Sequence, residues 1–511
     1  MMTTSQVDLD ALTEVSLDPA NMPRIGTVDE RFQSYNVEML EVTGGAFWRP
    51  YKSTADAGAS AKSTPSEVPA GMDPNIFQYR PPLDLANPRL RRLAAALGPA
   101  YVRVSGTWAN TTYFADSETP PVKAPTGFNG VLSQQQWRGV IDFAKAIDAK
   151  ILTAFAISPG TRDANGAWTT DQARRWIEYT RSIGGEIAAA EFMNEPSLAE
   201  INGAPKGYDA TDYGRDFKLF KTFANEMLPG MIVVGPGSVG ETPGPWSMTF
   251  GTPLIRTQDL LAATGPGVDA FSYHHYGAAS KRCAGMPQTT AEAALSEDWL
   301  ARTSQTLAFY RGLRDAFDPG KPMWLTEVAG AACGGNPWSG TFLDSFRYLD
   351  QLGRLAKSGV QVIAHNTLAS SDYGLLDENS LAPKPNYWAA LLWRKLMGTT
   401  VLDAGVPIQK GLHVYAHCQR GAPGRIALLV INNDRQRERK LSVPQASELY
   451  KLDAVDLEGK SVRLNGQVLA IGANDEFPAM DGKQIPPCVL SFAPATISFL
   501  SIPDTANYIC R

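Results

Sequence analysis

Eight short apolar or alternating runs recur over about 330 residues of the chain, with helix-periodic segments between most of them. The runs are SYNVEML around Val37, AYVRVS around Arg103, KILTAFAIS around Thr153 and EIAAAEFMN around Ala190. They continue as MIVVGPG around Val233, DAFSYHH around Ser272, PMWLTEV around Leu325 and VQVIAHNTL around Ile363. Between them the apolar positions take a helical period, as in QQQWRGVIDFAKAID, TDQARRWIEYTRSI, DYGRDFKLFKTFANEM, TSQTLAFYRGLRDAF and LDSFRYLDQLGRLAKSG. Eight alternating strand–helix units predict an α/β chain whose strands close into an eight-stranded parallel β/α (TIM) barrel, in preference to an open doubly wound sheet. No Gly-rich phosphate fingerprint follows the first strand, which weakens a dinucleotide-binding alternative.

After NYWAALLWRKLMG the texture changes. From about Val401 the chain reads as short strands punctuated by turn signals: LHVYAHCQ, RIALLVINN, RKLSVP, ELYKLDAVD, SVRLNG and ATISFLSIP. Such spacing predicts an appended antiparallel β-sandwich. The expected organisation is residues 1–30 as a segment pairing with the sandwich, 31–398 as the catalytic barrel and 399–511 as the sandwich. No repeat of solenoid or propeller length is visible.

Composition narrows the function. A chain of 511 residues is too long for one ordinary domain unless the larger one is a barrel. Hydrophobic residues at 44% and charged residues at 19% describe a globular protein with a large core. A formal net charge of -5 argues against general nucleic-acid binding. Eleven Trp and 17 Tyr suit a sugar-binding surface, although large cores use the same rings. The five cysteines show no CxxC, and their odd number fits a reduced compartment better than a disulfide framework. The first residues lack a basic segment followed by an apolar stretch, and no run approaches the roughly 20 apolar residues of a membrane span. The protein is therefore expected to be cytoplasmic if the chain begins at its natural start, and periplasmic or secreted if trimmed.

The candidate chemistry sits at strand ends. In AAAEFMNEPS the apolar fourth run stops at Asn194, Glu195 and a proline, and in MWLTEVAG the seventh run ends at Glu327. The two glutamates are 132 residues apart, yet a parallel barrel brings the C-terminal ends of its strands to one mouth. Two facing carboxyl groups are what glycoside hydrolysis needs, one to protonate the leaving oxygen and one to attack the anomeric carbon. The bland alternative is two unrelated acids satisfied by local hydrogen bonds, or a non-catalytic carbohydrate-binding barrel; the presence of both glutamates counts against the latter. No GxSxG elbow supports a serine hydrolase. His274 and His275 are adjacent, so on a strand they face opposite ways and do not share one metal ion; one is expected in the barrel mouth and the other outside. No cofactor and no metal are expected.

On these residues the chain resembles clan A glycoside hydrolases, and more closely glycoside hydrolase family 79, the heparanase and β-glucuronidase group. FMNEP is similar to the family's acid/base segment, which makes Glu195 the proton donor and Asn194 a contact of the sugar 2-hydroxyl. WLTEVAG is similar to the nucleophile segment, which makes Glu327 the nucleophile. GPAYVRVSGT resembles the second-strand motif, with Arg103 structural, Thr107 near the sugar and Ser105 in place of a usual glycine. SYHHYG implies Tyr276 as a neighbour of the nucleophile, and Glu38 stands where relatives place an acid on sugar hydroxyls. The stretch DYGLLDENSLAPKPNYWAALLWRKLMG is similar to the family's segment after the eighth strand. The resemblance implies that Tyr373 and the N–H groups of Gly334 and Gly335 hold a substrate carboxylate, with Cys333 standing where many relatives carry a second tyrosine. Glu241 is left outside the site, a surface salt-bridge role being as plausible there.

The resemblance thus implies a retaining β-glucuronidase acting on a glucuronide or a glucuronic-acid-containing oligosaccharide. Exo action is preferred to endo action of the heparanase type. The reason is the stretch of about 60 residues between the first strand and Tyr101, expected as an ordered loop, anchored by Phe47, Trp48, Tyr51, Phe77 and Tyr79, that walls off the non-reducing side of the pocket ahead of a short helical stretch near PRLRRLAAAL. Within it, STADAGASAKSTPS taken alone favours a flexible insertion.

Overall fold

All eight runs become strands. The computed structural model describes residues 15–51, 68–69, 72–242, 244, 246–247, 254–283 and 285–511. In it β1 (Gln33–Asn36), β2 (Ala100–Val104), β3 (Ala149–Ala154), β4 (Ala189–Glu191), β5 (Ile232–Ser238), β6 (Ala270–Tyr276), β7 (Met323–Ala329) and β8 (Val362–His365) close into a parallel barrel in chain order. β2, β6, β7 and β8 are buried along their whole length. Helices cover the barrel from outside and side chains fill it from within, so these strands are mostly apolar, and the polar residues they do carry, such as Arg103, His274 and Glu327, are buried as well.

The helices follow the predicted period and start where caps allow. Ser133 accepts from the Gln136 N–H at 3.1 Å while its own N–H donates to Gln136 Oε1 at 2.9 Å, which opens Gln134–Ala146. Asp209 caps Ala210–Met227 through the N–H groups of Thr211 and Asp212. Helix Thr257–Thr264 is not anticipated by the sequence pattern: eight residues give barely two turns of periodicity. Glu241, held out of the site, accepts from the Thr257 N–H at 3.0 Å and so serves this helix start, not a surface salt bridge.

Helix Pro385–Leu396 runs directly into strand Met397–Leu402, and the chain turns antiparallel. A nine-stranded sheet is centred on Ile426–Asn432, flanked by His413–Gln419 and Thr496–Ile502. Ile426, Leu428 and Val430 face a core shared with Leu441, Val443 and Phe492 of a three-stranded sheet. Ala427, Leu429 and Ile431 face the other way, into the barrel's own core cluster. This alternation cements the two parts, and it explains why Phe342–Lys357, caught between them, is buried nearly all round. The chain's early segment joins in: Arg24–Thr27 pairs with Met397–Leu402, and Val15–Ser16 lies parallel to Arg439–Val443.

The cysteine expectation fails, and the first loop is more regular than expected. Cys283 is bonded to Cys333 and Cys418 to Cys510, leaving Cys488 free, so the odd count does not signal reduced thiols. Partners 50 and 92 residues apart meet only through the fold, which no local spacing encodes. The stretch between β1 and β2 holds the expected helix, Pro88–Ala96, and in addition helix Met39–Thr43 and hairpin Gly45–Trp48/Phe77–Arg80. Phe47 and Phe77 anchor it, but Tyr79 is 59% exposed and anchors nothing. The STADAGASAKSTPS segment lies outside the described residues. Among the described residues no helix is long and apolar enough to cross a membrane.

Candidate active site

The floor of the barrel mouth is built on Arg103, fully buried on β2. Its guanidinium donates to Glu191 Oε2 at 2.9 and 3.1 Å, to Glu327 Oε2 at 2.8 Å and to Asn194 Oδ1 at 2.7 Å. One planar fork therefore fixes groups from β4, β7 and the turn after β4. Glu191 also accepts from Thr326 at 2.7 Å and Ser272 at 3.3 Å. Burial alone would raise its carboxyl, but the Arg103 charge and its other donors outweigh that and hold it at about 2. A buried arginine–carboxylate pair with every lone pair engaged is a rigid base for the groups above it.

Glu195 does not end a strand. β4 stops at Glu191, and Glu195 sits four residues on, at φ 47°, before the turn Pro196–Leu198. A glutamate in the left-handed region costs about 1–3 kcal/mol and persists only where its surroundings dictate it. Here the Leu198 N–H and Asn202 Nδ2 both donate to the Glu195 carbonyl, at 2.9 and 3.2 Å, while Asn110 brackets Asn194 on both sides of its peptide unit. Glu327 lies inside β7, two residues before its end, not at its terminus. Its Oε1 accepts from the Tyr276 hydroxyl at 2.6 Å.

His274 ties the two glutamates together. In the β6–β7 register it is opposite Glu327, beside a local irregularity of the pairing, and its Nδ1 is 3.0 Å from Glu195 Oε1 and 3.8 Å from Glu327 Oε2. Burial would lower its pKa, yet Glu327, Glu191 and Glu195 raise it to about 9, so the ring is an imidazolium at neutral pH. Glu195 is pushed above the usual carboxyl range, by burial first and by Glu327 second, against the pull of His274. Glu195, His274 and Glu327 offer ligand atoms all within 4.8 Å of one another, the one such group among the described residues. Of these three, Glu327 is already engaged by a cation of the chain itself, Arg103 at 2.8 Å. His275, expected outside, faces away but is buried, hydrogen-bonded to Thr306 at 2.9 Å.

The pocket above these groups brings together most of the expected residues. Glu38, Thr107, Glu195, Tyr276, Glu327 and Tyr373 line it. Glu38 is not part of the strand alternation; it caps helix Met39–Thr43, its N–H donating to Glu41 Oε2 at 2.7 Å. Its Oε2 is buried without a partner, and a Cβ on Gly106 would stand 1.5 Å from it, so only glycine fits beside this carboxyl. Burial and Glu327 raise its pKa well above the ordinary range. Thr107 donates to Asn202 Oδ1 at 2.9 Å. The hydroxyls of Tyr276 and Tyr373 both accept from Asn366 Nδ2 at 3.1 Å.

Three expected residues are not on the wall. Asn194 turns its amide oxygen down to Arg103. Gly334 and Gly335 are not part of the lining, which includes Ala332 and Cys333, and they pack against Trp48 and Ser371 and against Ser339 and Tyr373. Both glycines have positive φ, at 80° and 90°; their carbonyls accept from Ser371 and Arg282, and among the described residues neither N–H has an acceptor. Sequence reasoning missed Glu191, Asn202, Asn366 and Trp108. Only Glu191 gave a signal, as an acid inside an otherwise apolar run that demands a buried cation. A larger cavity of about 230 Å³ on the outer side of the hairpin shares Trp48 with the pocket but holds none of the candidate acids.

The family model described as "Glycosyl hydrolase family 79, N-terminal domain" matches residues 82–353. Heparanase-like protein 1 of Arabidopsis thaliana is 30% identical over 382 residues, which cover 71% of this chain and 67% of that protein. Baicalin-beta-D-glucuronidase of Scutellaria baicalensis is 25% identical, over 83% of this chain and 85% of its own. The crystal structure of an alpha-L-arabinofuranosidase from Thermotoga maritima shares the fold, with a TM-score of 0.64 at 14% identity over 96% of this chain and 99% of that one. The family match spans more than half of the sequence, including the segment that carries Glu195 and Glu327. The chain is a glycoside hydrolase and belongs to glycoside hydrolase family 79.

Proposed function

We propose that the protein releases terminal β-linked glucuronic acid by a retaining double displacement. The observation that carries this reading is the short gap between the two glutamates. Their nearest oxygens lie within 4.8 Å, close to the roughly 5–5.5 Å of retaining enzymes and short of the roughly 6.5–9.5 Å that admits a water in inverting ones. Glu327 attacks the anomeric carbon as the proton on Glu195 passes to the leaving oxygen; a water, deprotonated by Glu195, then cleaves the glycosyl ester. The raised pKa of Glu195 suits the donor role. Arg103 and Tyr276 orient Glu327. The orphaned Glu38 oxygen is placed to accept from a sugar hydroxyl.

Tyr373 and the unoccupied N–H groups of Gly334 and Gly335 are our candidates for the substrate carboxylate, the glycines needing a small shift of Ala332–Cys333 to face it. Support for exo action comes from Trp48, Pro69 and Met72, which the β1–β2 stretch contributes to the pocket wall. The relatives' names include both a heparanase-like protein and a β-D-glucuronidase, and so support the sugar more than the mode of cutting. The two disulfides support an oxidising compartment.

The test offers 4-nitrophenyl β-glucuronide, the matching β-glucoside and a heparan or hyaluronan oligosaccharide side by side. Rapid release from the glucuronide, slow release from the glucoside and no internal fragments are expected. Internal fragments with no action on the small glucuronide would establish the endo reading instead.

A further inference from the structure

We propose that Lys384 is a positioning residue for the sugar carboxylate: from outside the pocket lining, its ammonium fixes the turn that carries Tyr373 and, through Ser371, the loop that carries Gly334. The inference rests on the glucuronidase reading and names the group that holds its carboxylate contacts in place.

The chain after β8 reaches the pocket by an irregular path. Ser371 stands at φ 63°, a left-handed conformation that a serine keeps only where its surroundings impose it. Three successive carbonyls of this turn go to buried side-chain nitrogens. Lys384 Nζ donates to Ser371 O at 2.9 Å and to Asp372 O at 3.2 Å, and His365 Nε2 donates to Tyr373 O at 2.8 Å. Both ends of the turn are committed. The Ser371 hydroxyl donates to Gly334 O at 2.8 Å, and the Tyr373 hydroxyl accepts from Asn366 at 3.1 Å in the pocket. Lys384 is itself held. It precedes Pro385, which restricts it to the extended backbone it adopts, and its N–H donates to Leu375 O at 2.9 Å. The loop after β7 crosses its stem at Gly340, where a Cβ would stand 2.9 Å from Lys384 Cδ and 2.6 Å from Asp372 O.

The surroundings leave this ammonium to the carbonyls. Lys384 is 6% exposed, and among the described residues both of its side-chain hydrogen bonds go to main chain. Asp372 is taken by Arg282, Glu378 by Arg80 at 3.0 Å, and Asp377 by the N–H groups of Asn379 and Ser380. Burial brings Lys384 down to about 8, against the pull of Asp372 and with the help of Lys460 from the sandwich. The charge-assisted hydrogen bonds to Ser371 and Asp372 are therefore complete below that pH and weaken as pH rises through it. Burial lowers His365 to about 4, so its ring stays neutral across this range and its bond to Tyr373 does not change.

The experiment measures kcat/KM on 4-nitrophenyl β-glucuronide and on the matching β-glucoside from pH 6 to 9.5, in wild type, Lys384→Met, Ser371→Ala and the double variant. Glu195 and His274 serve both substrates, so their titration cancels in the glucuronide-to-glucoside ratio. In the wild type that ratio should fall severalfold as pH rises through about 8. In Lys384→Met it should start about tenfold lower at pH 6 and stay flat, with most of the loss in KM for the glucuronide. Ser371→Ala should lower it less, and the double variant should match Lys384→Met, because both side chains act through one turn. An unchanged ratio in a folded Lys384→Met, or a wild-type ratio that is flat across the range, would overturn the role of Lys384 alone. Where Lys384→Met does not fold, the wild-type profile decides. No cleavage of the glucuronide by the wild type would overturn the glucuronidase reading and this proposal with it.

Discussion

Burial alone would strip the proton from His274, yet Glu327, Glu191 and Glu195 around it hold that proton to about pH 9. The resulting imidazolium lies 3.0 Å from Glu195 and draws down a carboxyl that burial and Glu327 push up. Glu195 must be protonated to act as acid, so activity is present below its raised pKa and lost as pH climbs through it. Replacing His274 by Gln removes the cation that favours the carboxylate, and the Glu195 pKa rises further. The alkaline limb of the kcat/KM profile should therefore move to higher pH in His274→Gln; an unmoved or lowered limb would show that His274 does not tune Glu195. At this scale the sequence singles out the two glutamates of the proposed mechanism, because Asn-Glu-Pro and Thr-Glu-Val break apolar runs. It hides the support: Glu191 pairs with Arg103, 88 positions away, and nothing near either residue names the other.

Loops, more than strands, shape the pocket, and one side chain ties four of them. Arg282, in the loop after β6, donates to the Arg49 carbonyl at 2.9 Å, to Cys333 O at 3.1 Å and to Gly335 O at 3.0 Å, and it pairs with Asp372. Its guanidinium also covers the Tyr51 ring at 3.8 Å. The adjacent Cys283–Cys333 bond fastens the same two loops covalently. A lysine is a point charge and does not span these acceptors. Losing even one hydrogen bond of a charged group costs about 1.5–3 kcal/mol, so Arg282→Lys should lower kcat/KM on the glucuronide about tenfold or more. The loss on the matching glucoside should be smaller, because the loop with Gly334 and Gly335 faces the carboxylate in our reading. Equal losses on both would leave Arg282 a general brace. The strands of this architecture were legible because burial on both faces writes them as apolar runs. The hairpin after β1 was not: Gly45–Trp48 and Phe77–Arg80 are four residues each, separated by far more chain than a turn requires.

Barrel and sandwich meet through a charged cluster as well as an apolar face. His413 of the sandwich sits between Asp350 at 2.6 Å and Glu297 at 2.9 Å on the barrel helices, and Tyr415 adds a bond to Asp350 at 2.6 Å. Burial opposes both charges, but the mutual attraction raises His413 to about 9 and holds Asp350 at about 2. The signs differ. The His413 contribution is complete below its ordinary 6.5 and is lost as pH rises through about 9; that of Asp350 is complete above its ordinary 3.8 and is lost as pH falls through about 2. Melting temperature should accordingly fall between pH 6.5 and 9.5 by more in the wild type than in His413→Gln. That variant should itself be less stable at pH 6 by about 1.5–3 kcal/mol, since it removes one charged hydrogen bond from the buried Asp350 and leaves Arg354, at 2.6 Å, as its remaining cation. Parallel curves would show that the cluster is neutral. The sandwich strands were readable from their short length and the turn signals between them, yet the cysteine pairs and this cluster were not, because each joins segments that only the finished fold brings together.

The most direct measurement is to trap the glycosyl-enzyme with 2-deoxy-2-fluoro-glucuronyl fluoride and map the adduct by peptide mass spectrometry. One fluoroglucuronyl unit on the peptide carrying Glu327, and none in Glu327→Gln, is expected. An adduct on another residue, or steady turnover of 4-nitrophenyl β-glucuronide to an inverted product without any adduct, would contradict the assignment of Glu327 as nucleophile.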